Sequence, residues 1–85
     1  MPIYPYFKAE VQIPEPVWEE FGGTQEYDRK IIEATQGNTG AGSDRYSEVF
    51  EWATFSTKAE AEECERKLVE VILYFTRKIA TQPAE

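Results

Sequence analysis

Apolar residues recur along this chain in two rhythms. Between residues 3 and 13 they alternate. Ile3, Pro5, Phe7, Ala9, Val11 and Ile13 take one side, and Tyr4, Tyr6, Lys8, Glu10 and Gln12 the other, which predicts a strand with one face in the core. Pro2 and Pro5 put its beginning at an edge or outside the pairing. Residues 46–55 are dense in the β-branched and aromatic side chains that suit a pleated, half-buried surface. There Val49, Ala53 and Phe55 form one row, interrupted by Glu51, while Tyr46, Phe50 and Trp52 form the other, interrupted by Glu48. From Thr57 onward the spacing lengthens to three and four. Ala61, Cys64, Leu68, Val71, Ile72, Phe75 and Ile79 then share one stripe of a long helix.

The start of that helix is the best-marked boundary in the chain. Thr57 followed three residues later by Glu60 predicts a capping box, and Glu60, Glu62 and Glu63 suit the positive end of the helix dipole. Glu62 with Arg66, and Glu63 with Lys67, are spaced for ion pairs four residues apart on the solvated side. Val69 and Leu73 widen the apolar stripe between Leu68 and Phe75. The middle of the helix is therefore expected either to be covered on two sides or to meet a partner.

Between the two strands the signals are mixed. Residues 14–21 read as a short helix with prolines at its first turn, apolar Val17, Trp18 and Phe21 on one side, and a stop at Gly22 and Gly23. Trp18 and Phe21 are expected to anchor it to the sheet. Residues 24–36 fit a helix capped by Thr24 with Tyr27, Ile31 and Ala34 on one side, and equally a strand from about residue 29. We read helical turns near 24–28 and a strand from about Lys30, because a two-stranded sheet is a poor support for a long helix. The glycine-rich stretch from Gly37 to Arg45 reads as a loop between antiparallel strands. Its glycines and Arg45 could gather around an anion, but it lacks the lysine and spacing of a phosphate-binding loop and precedes a strand, not a helix. Residues 80–85, with Pro83, read as a frayed tail.

The expected fold class is α+β: an antiparallel three-stranded sheet with a short helix and a long C-terminal helix on one face, in the order β-α-β-β-α. This order resembles a ferredoxin-like arrangement lacking its last strand, a likeness of architecture that no family motif carries. Eighty-five residues make a single small domain, 1–85, with a modest core and little room for an internal active-site cavity.

Composition narrows the function more by exclusion than by indication. The chain has no histidine and a single cysteine, so the usual zinc sets are missing and no intramolecular disulfide can form. Cys64 lies on the apolar stripe and reads as a small buried hydrophobe. General acid–base chemistry would fall to carboxylates such as Glu10, Glu48 and Glu51, with no spacing that fixes a pair, so the reading is not an enzyme, with no cofactor and no metal. The start of the chain lacks the basic and apolar segments of a signal peptide and no apolar run approaches a membrane span, which points to the cytoplasm.

The formal charge is −7, and nearly all the acid excess lies in residues 1–56. Such a field opposes nucleic acid and anionic membrane and favours a protein partner. If the helices cover the row of Val49, Ala53 and Phe55, then Tyr4, Tyr6, Tyr46, Phe50 and Trp52, with Glu48 among them, line the open face of the sheet as a protein-binding patch. The leading expectation is a small acidic interaction module that binds itself, as a homodimer, or another protein through that aromatic face. The alternative is an acidic inhibitor or nucleic-acid mimic that occupies the basic groove of a nucleic-acid-handling protein.

Overall fold

The structure, a computed structural model, describes residues 6–37, 39–43 and 49–81. The first strand, β1 (Phe7–Ile13), forms where apolar and polar residues alternate. It ends at Pro14, after which α1 (Glu15–Phe21) begins with Pro16 in its first turn. Gly22 stops α1 in tight quarters: a Cβ there would lie 2.5 Å from the Trp18 ring and from the Trp18 carbonyl oxygen, a contact that only glycine avoids. Trp18 and Phe21, expected to anchor α1 to the sheet, make their ring contacts with the other helices. The Trp18 ring meets Tyr27 edge-on at 5.7 Å between centroids, and Phe21 packs on Phe75 at 4.8 Å, so α1 is held by the other helices.

Residues 30–36 do not form a strand. Residues 30–35 belong to α2 (Gln25–Thr35), whose N-cap Thr24 accepts the backbone N–H of Tyr27 through its side chain. Tyr27, Ile31 and Ala34 are buried on one side. The helix closes with Gln36 in the left-handed region (φ 55°) and Gly37 at φ 79°, the Gly37 N–H bonding back to the Ile32 carbonyl at 3.2 Å, a glycine-assisted helix stop. Acidic Glu26 and Asp28 in the first turn complement the helix dipole. Each of these signals favours helix, and together they outweigh the β-branched Ile31, Ile32 and Thr35.

The three-stranded sheet expected from residues 3–13, 30–36 and 46–55 is therefore not met. What stands is the two-stranded antiparallel ladder of β1 with β3 (Val49–Phe55), in the register Ala9 opposite Ala53 and Val11 opposite Glu51, with three helices among the described residues, a mixed α+β arrangement. Along the far edge of β3 runs the antiparallel backbone of β2 (Thr39–Ser43), with Ala41 opposite Glu51, in a stretch whose composition predicted only a loop. The order of elements is β-α-α-β-β-α, and the ferredoxin-like likeness falls with the expected middle strand.

The last helix, α3 (Lys58–Ala80), begins where its cap predicts and runs one residue beyond Ile79. Thr57 Oγ1 accepts the Glu60 N–H at 3.2 Å and donates to the Glu60 carboxylate at 2.7 Å. The expected pairs of Glu62 with Arg66 and Glu63 with Lys67 are replaced by Arg66 bridging Glu63 and Glu70, with Lys58 beside Glu62 at 3.9 Å. Ala61, Cys64, Leu68 and Phe75 are buried, with Val71, Ile72 and Ile79 packed at the core's margin. α3 lies mainly over β1, partly over β3, and alongside α2. Val69 and Leu73 stay exposed, at 43% and 45%. Lys78 clamps the two helices: its Nζ meets Glu26 at 2.7 Å, and the Tyr74 hydroxyl donates to the same carboxylate at 3.1 Å.

Phe75 is fully buried against Phe21, Tyr27 and Tyr74. Phe75→Ala should cost about 3–5 kcal/mol in chemical denaturation. Leu73→Ala on the same helix should change stability by less than about 0.5 kcal/mol. Equal losses at the two sites would show that the outer stripe of α3 is covered in the folded chain.

Candidate protein-binding surface

The register of the β1–β3 ladder decides which side chains share a surface. Phe7, Ala9, Val11 and Ile13 stand opposite Phe55, Ala53, Glu51 and Val49. Ala9, Ile13, Glu51, Ala53 and Phe55 are buried, so this row faces the helices. The other row consists of Lys8, Glu10 and Gln12 opposite Thr54, Trp52 and Phe50, and it forms the face away from the helices. Successive side chains on a strand alternate between faces. The row containing Phe50 and Trp52 is therefore the outer one.

Of the six residues expected to make the patch, the described ones divide cleanly. Tyr6, just ahead of β1, is 68% exposed, and Phe50 and Trp52 are half-buried on the outer face. Tyr4, Tyr46 and Glu48 lie outside the described residues. The sequence reading left Lys8 out of the patch, although its alternation put the residue on this row. The Lys8 ammonium sits 5.2 Å from the centre of the Trp52 ring and 2.9 Å from the Glu10 carboxylate. Cation and carboxylate thus balance each other beside the indole, a contact worth about 0.5–1 kcal/mol at an exposed site. The described part of this face is locally neutral and aromatic. No protein-family model, curated protein or solved structure matches the chain. The geometry of the surface is what remains to argue from.

The helical side offers less for chemistry. An open cleft of about 370 Å3 between α2 and α3 is lined by Lys30, Glu33, Ala34, Lys67, Glu70, Val71 and Tyr74. Its lysines are opposed by nearby carboxylates, and the Lys30 ammonium already lies 4.1 Å over the Tyr74 ring. Burial pushes the Cys64 thiol up from its ordinary value, which suppresses the thiolate a nucleophile needs. Among the described residues no group of three carboxylate, cysteine or histidine side chains is placed to hold a metal ion. Nor, among them, is any helix long and apolar enough to cross a membrane.

One carboxylate is buried. Glu51 occupies the inner row of β3 at 4% exposure, and the Tyr27 hydroxyl of α2 donates to its Oε1 at 2.8 Å. Desolvation raises the Glu51 carboxyl above the ordinary carboxylate range. The Tyr27 bond works against that rise and the nearby Asp28 charge adds to it. Tyr27 is itself pushed upward by burial and then by the Glu51 carboxylate, so it remains a hydrogen-bond donor across the working pH range. The pair closes the core at the junction of α2 and the sheet.

Because the folded Glu51 carboxyl is raised above its unfolded value, folding is favoured by its protonation. Its contribution is complete below the unfolded value near 4.5 and is lost as pH rises through the folded value. Glu51→Gln keeps an acceptor for Tyr27 and removes this dependence. The variant should melt a few degrees above the parent at pH 8 and close to it at pH 5, about 1 kcal/mol corresponding to about 4–8 °C in a domain of this size. Tyr27→Phe should destabilise by about 1–3 kcal/mol at pH 8. Parallel melting curves for parent and Glu51→Gln across this range would exclude a buried carboxylate at this position.

Proposed function

We propose that the chain is a small non-enzymatic interaction module that binds protein through the outer face of the β1–β3 ladder. The observation that carries this reading is the placement of Phe50 and Trp52 on the face opposite the three helices, with Tyr6, just ahead of β1, 68% exposed. Aromatic side chains give large contact area at small cost in side-chain entropy, and they are enriched where proteins meet. Lys8 and Glu10 supply polar groups beside Trp52, as at the rim of an interface. Tyr4, Tyr46 and Glu48 extend the proposed patch by their place in the sequence.

A nucleic-acid mimic would use a different part of the molecule. Its acids would be those of α1 and α2, where Glu15, Glu19, Asp28 and Glu33 are exposed, and its binding would weaken steeply with salt. A photo-crosslinking residue placed at position 6 or 50, and in parallel at position 19 or 33, separates the two inside the cells that make the protein. Crosslinks to protein from positions 6 and 50, persisting at high salt in extracts and lost on Trp52→Ala, are the expected result. Salt-sensitive crosslinks from positions 19 and 33 alone would overturn the reading in favour of mimicry, and an absence of crosslinks from all four would exclude both.

A further inference from the structure

We infer that two copies of the chain associate through the free edge of β1, joining their sheets across a two-fold axis at Ala9. The inference takes from the preceding reading only the class of partner, a protein, and uses a different surface. Sheet order is β1-β3-β2, so β1 is an edge, and among the described residues no strand pairs with its outer side. A row of unpaired N–H and C=O groups on an edge is a template for another strand unless something blunts it. β1 is seven residues long, its pairing with β3 runs without interruption from Phe7 to Ile13, and it contains neither proline nor glycine. The blunting features it carries are two charged side chains, Lys8 and Glu10.

The charges of β1 identify the partner as a second β1. When two copies run antiparallel about Ala9, Lys8 of each stands opposite Glu10 of the other, on the outer face, twice over by symmetry. On the inner face Phe7 of each stands opposite Val11 of the other. Both are incompletely covered in the single chain, Phe7 at 37% exposure and Val11 half-buried. Ala9 meets Ala9 at the axis, where a larger side chain would crowd its own copy. The same lysine that guards the edge against an arbitrary strand is thereby matched by this one, an isologous contact in which a surface is complementary to itself. Each copy also carries a net charge of −7, so the association strengthens as salt screens the repulsion between copies.

Sedimentation equilibrium of the whole chain over a range of concentrations and salt tests the inference. The expected mass at high concentration and moderate salt is twice 9.8 kDa. Lys8→Glu and Glu10→Lys should each weaken the dimer about tenfold, through like charges set opposite one another at two symmetric places, and the double variant Lys8→Glu/Glu10→Lys should restore it. Circular dichroism and thermal melting of each variant identify any that fails to fold, and the restored double variant keeps the comparison meaningful. A monomer under all conditions overturns the inference. So does a dimer indifferent to both charge reversals but dissociated by Trp52→Ala, an outcome that leaves the aromatic-face reading standing. A dimer that follows Lys8 and Glu10 while a crosslinker at position 50 captures nothing supports the edge contact and removes the aromatic face.

Discussion

The seating of α3 across the β1–β3 ladder is the constraint on which the remaining structure depends. A helix can lie close to a pleated surface only where the side chains beneath it are small. Ala9 and Ala53, fully buried and directly opposite each other, leave such a place. The turn between β3 and α3 is only Ser56 and Thr57, and Thr57 caps the helix. Chain direction therefore reverses at once and carries Ala61, Cys64, Leu68 and Phe75 back over the sheet. Once α3 is seated, the faces are settled: the row of Ala53 and Phe55 goes inward, and Phe50 and Trp52 go outward with no helix over them.

Seating α3 leaves a problem in the same row, because Glu51 lies between Val49 and Ala53 and must also point inward. A buried carboxylate needs a donor, and leaving it without one costs about 1–3 kcal/mol or more for a charged group. Tyr27 supplies the donor from the first turn of α2. This requirement gives α2 its position: its N-terminal half must stand over the middle of β3 with Tyr27 pointing down. The clamp of Lys78 on Glu26, one residue away from Tyr27, holds the same turn against α3. The acid in the strand, the tyrosine in the second helix and the lysine near the end of the third thus form a chain of dependencies through the core.

These dependencies explain what the sequence showed and what it hid. β1, α1, β3 and α3 carry strong local signals: strict alternation, prolines followed by a glycine pair, aromatic density, and a capping threonine ahead of a three-and-four repeat. Residues 24–36 were harder because their β-branched residues suggest strand while Thr24 and Gly37 mark the two ends of a helix. Gly37 opens the glycine-rich stretch in sequence and also closes a helix in the structure, a double role that hides the end of α2. The strand expected from Lys30 does not exist because the second helix, not a third strand, shares the load of α3, and the backbone beside β3 at Thr39–Ser43 holds two glycines that give no strand signal. Glu51 was seen as an interruption in its row, but its burial and its tyrosine partner are a tertiary contact 24 residues apart. Parity along β3 groups Phe50 with Trp52, but which row faces the helices is decided by the packing of α3 on Ala9 and Ala53.

The distribution of charge separates the two sides of the molecule more sharply than its total suggests. On the outer face the described charges are Lys8 and Glu10, which offset each other next to Trp52. The acid excess instead falls on α1 and α2, where Glu15, Glu19, Asp28 and Glu33 are exposed, on the far side of the sheet. A net negative molecule with a neutral aromatic face repels polyanions in general without repelling apolar contact at that face, since screened charges act over about 8–10 Å at physiological salt. Acidity and aromatic exposure therefore do not compete for the same surface. In the proposed mode of binding, the acids set which macromolecules approach, and the sheet face and its β1 edge hold the protein that stays.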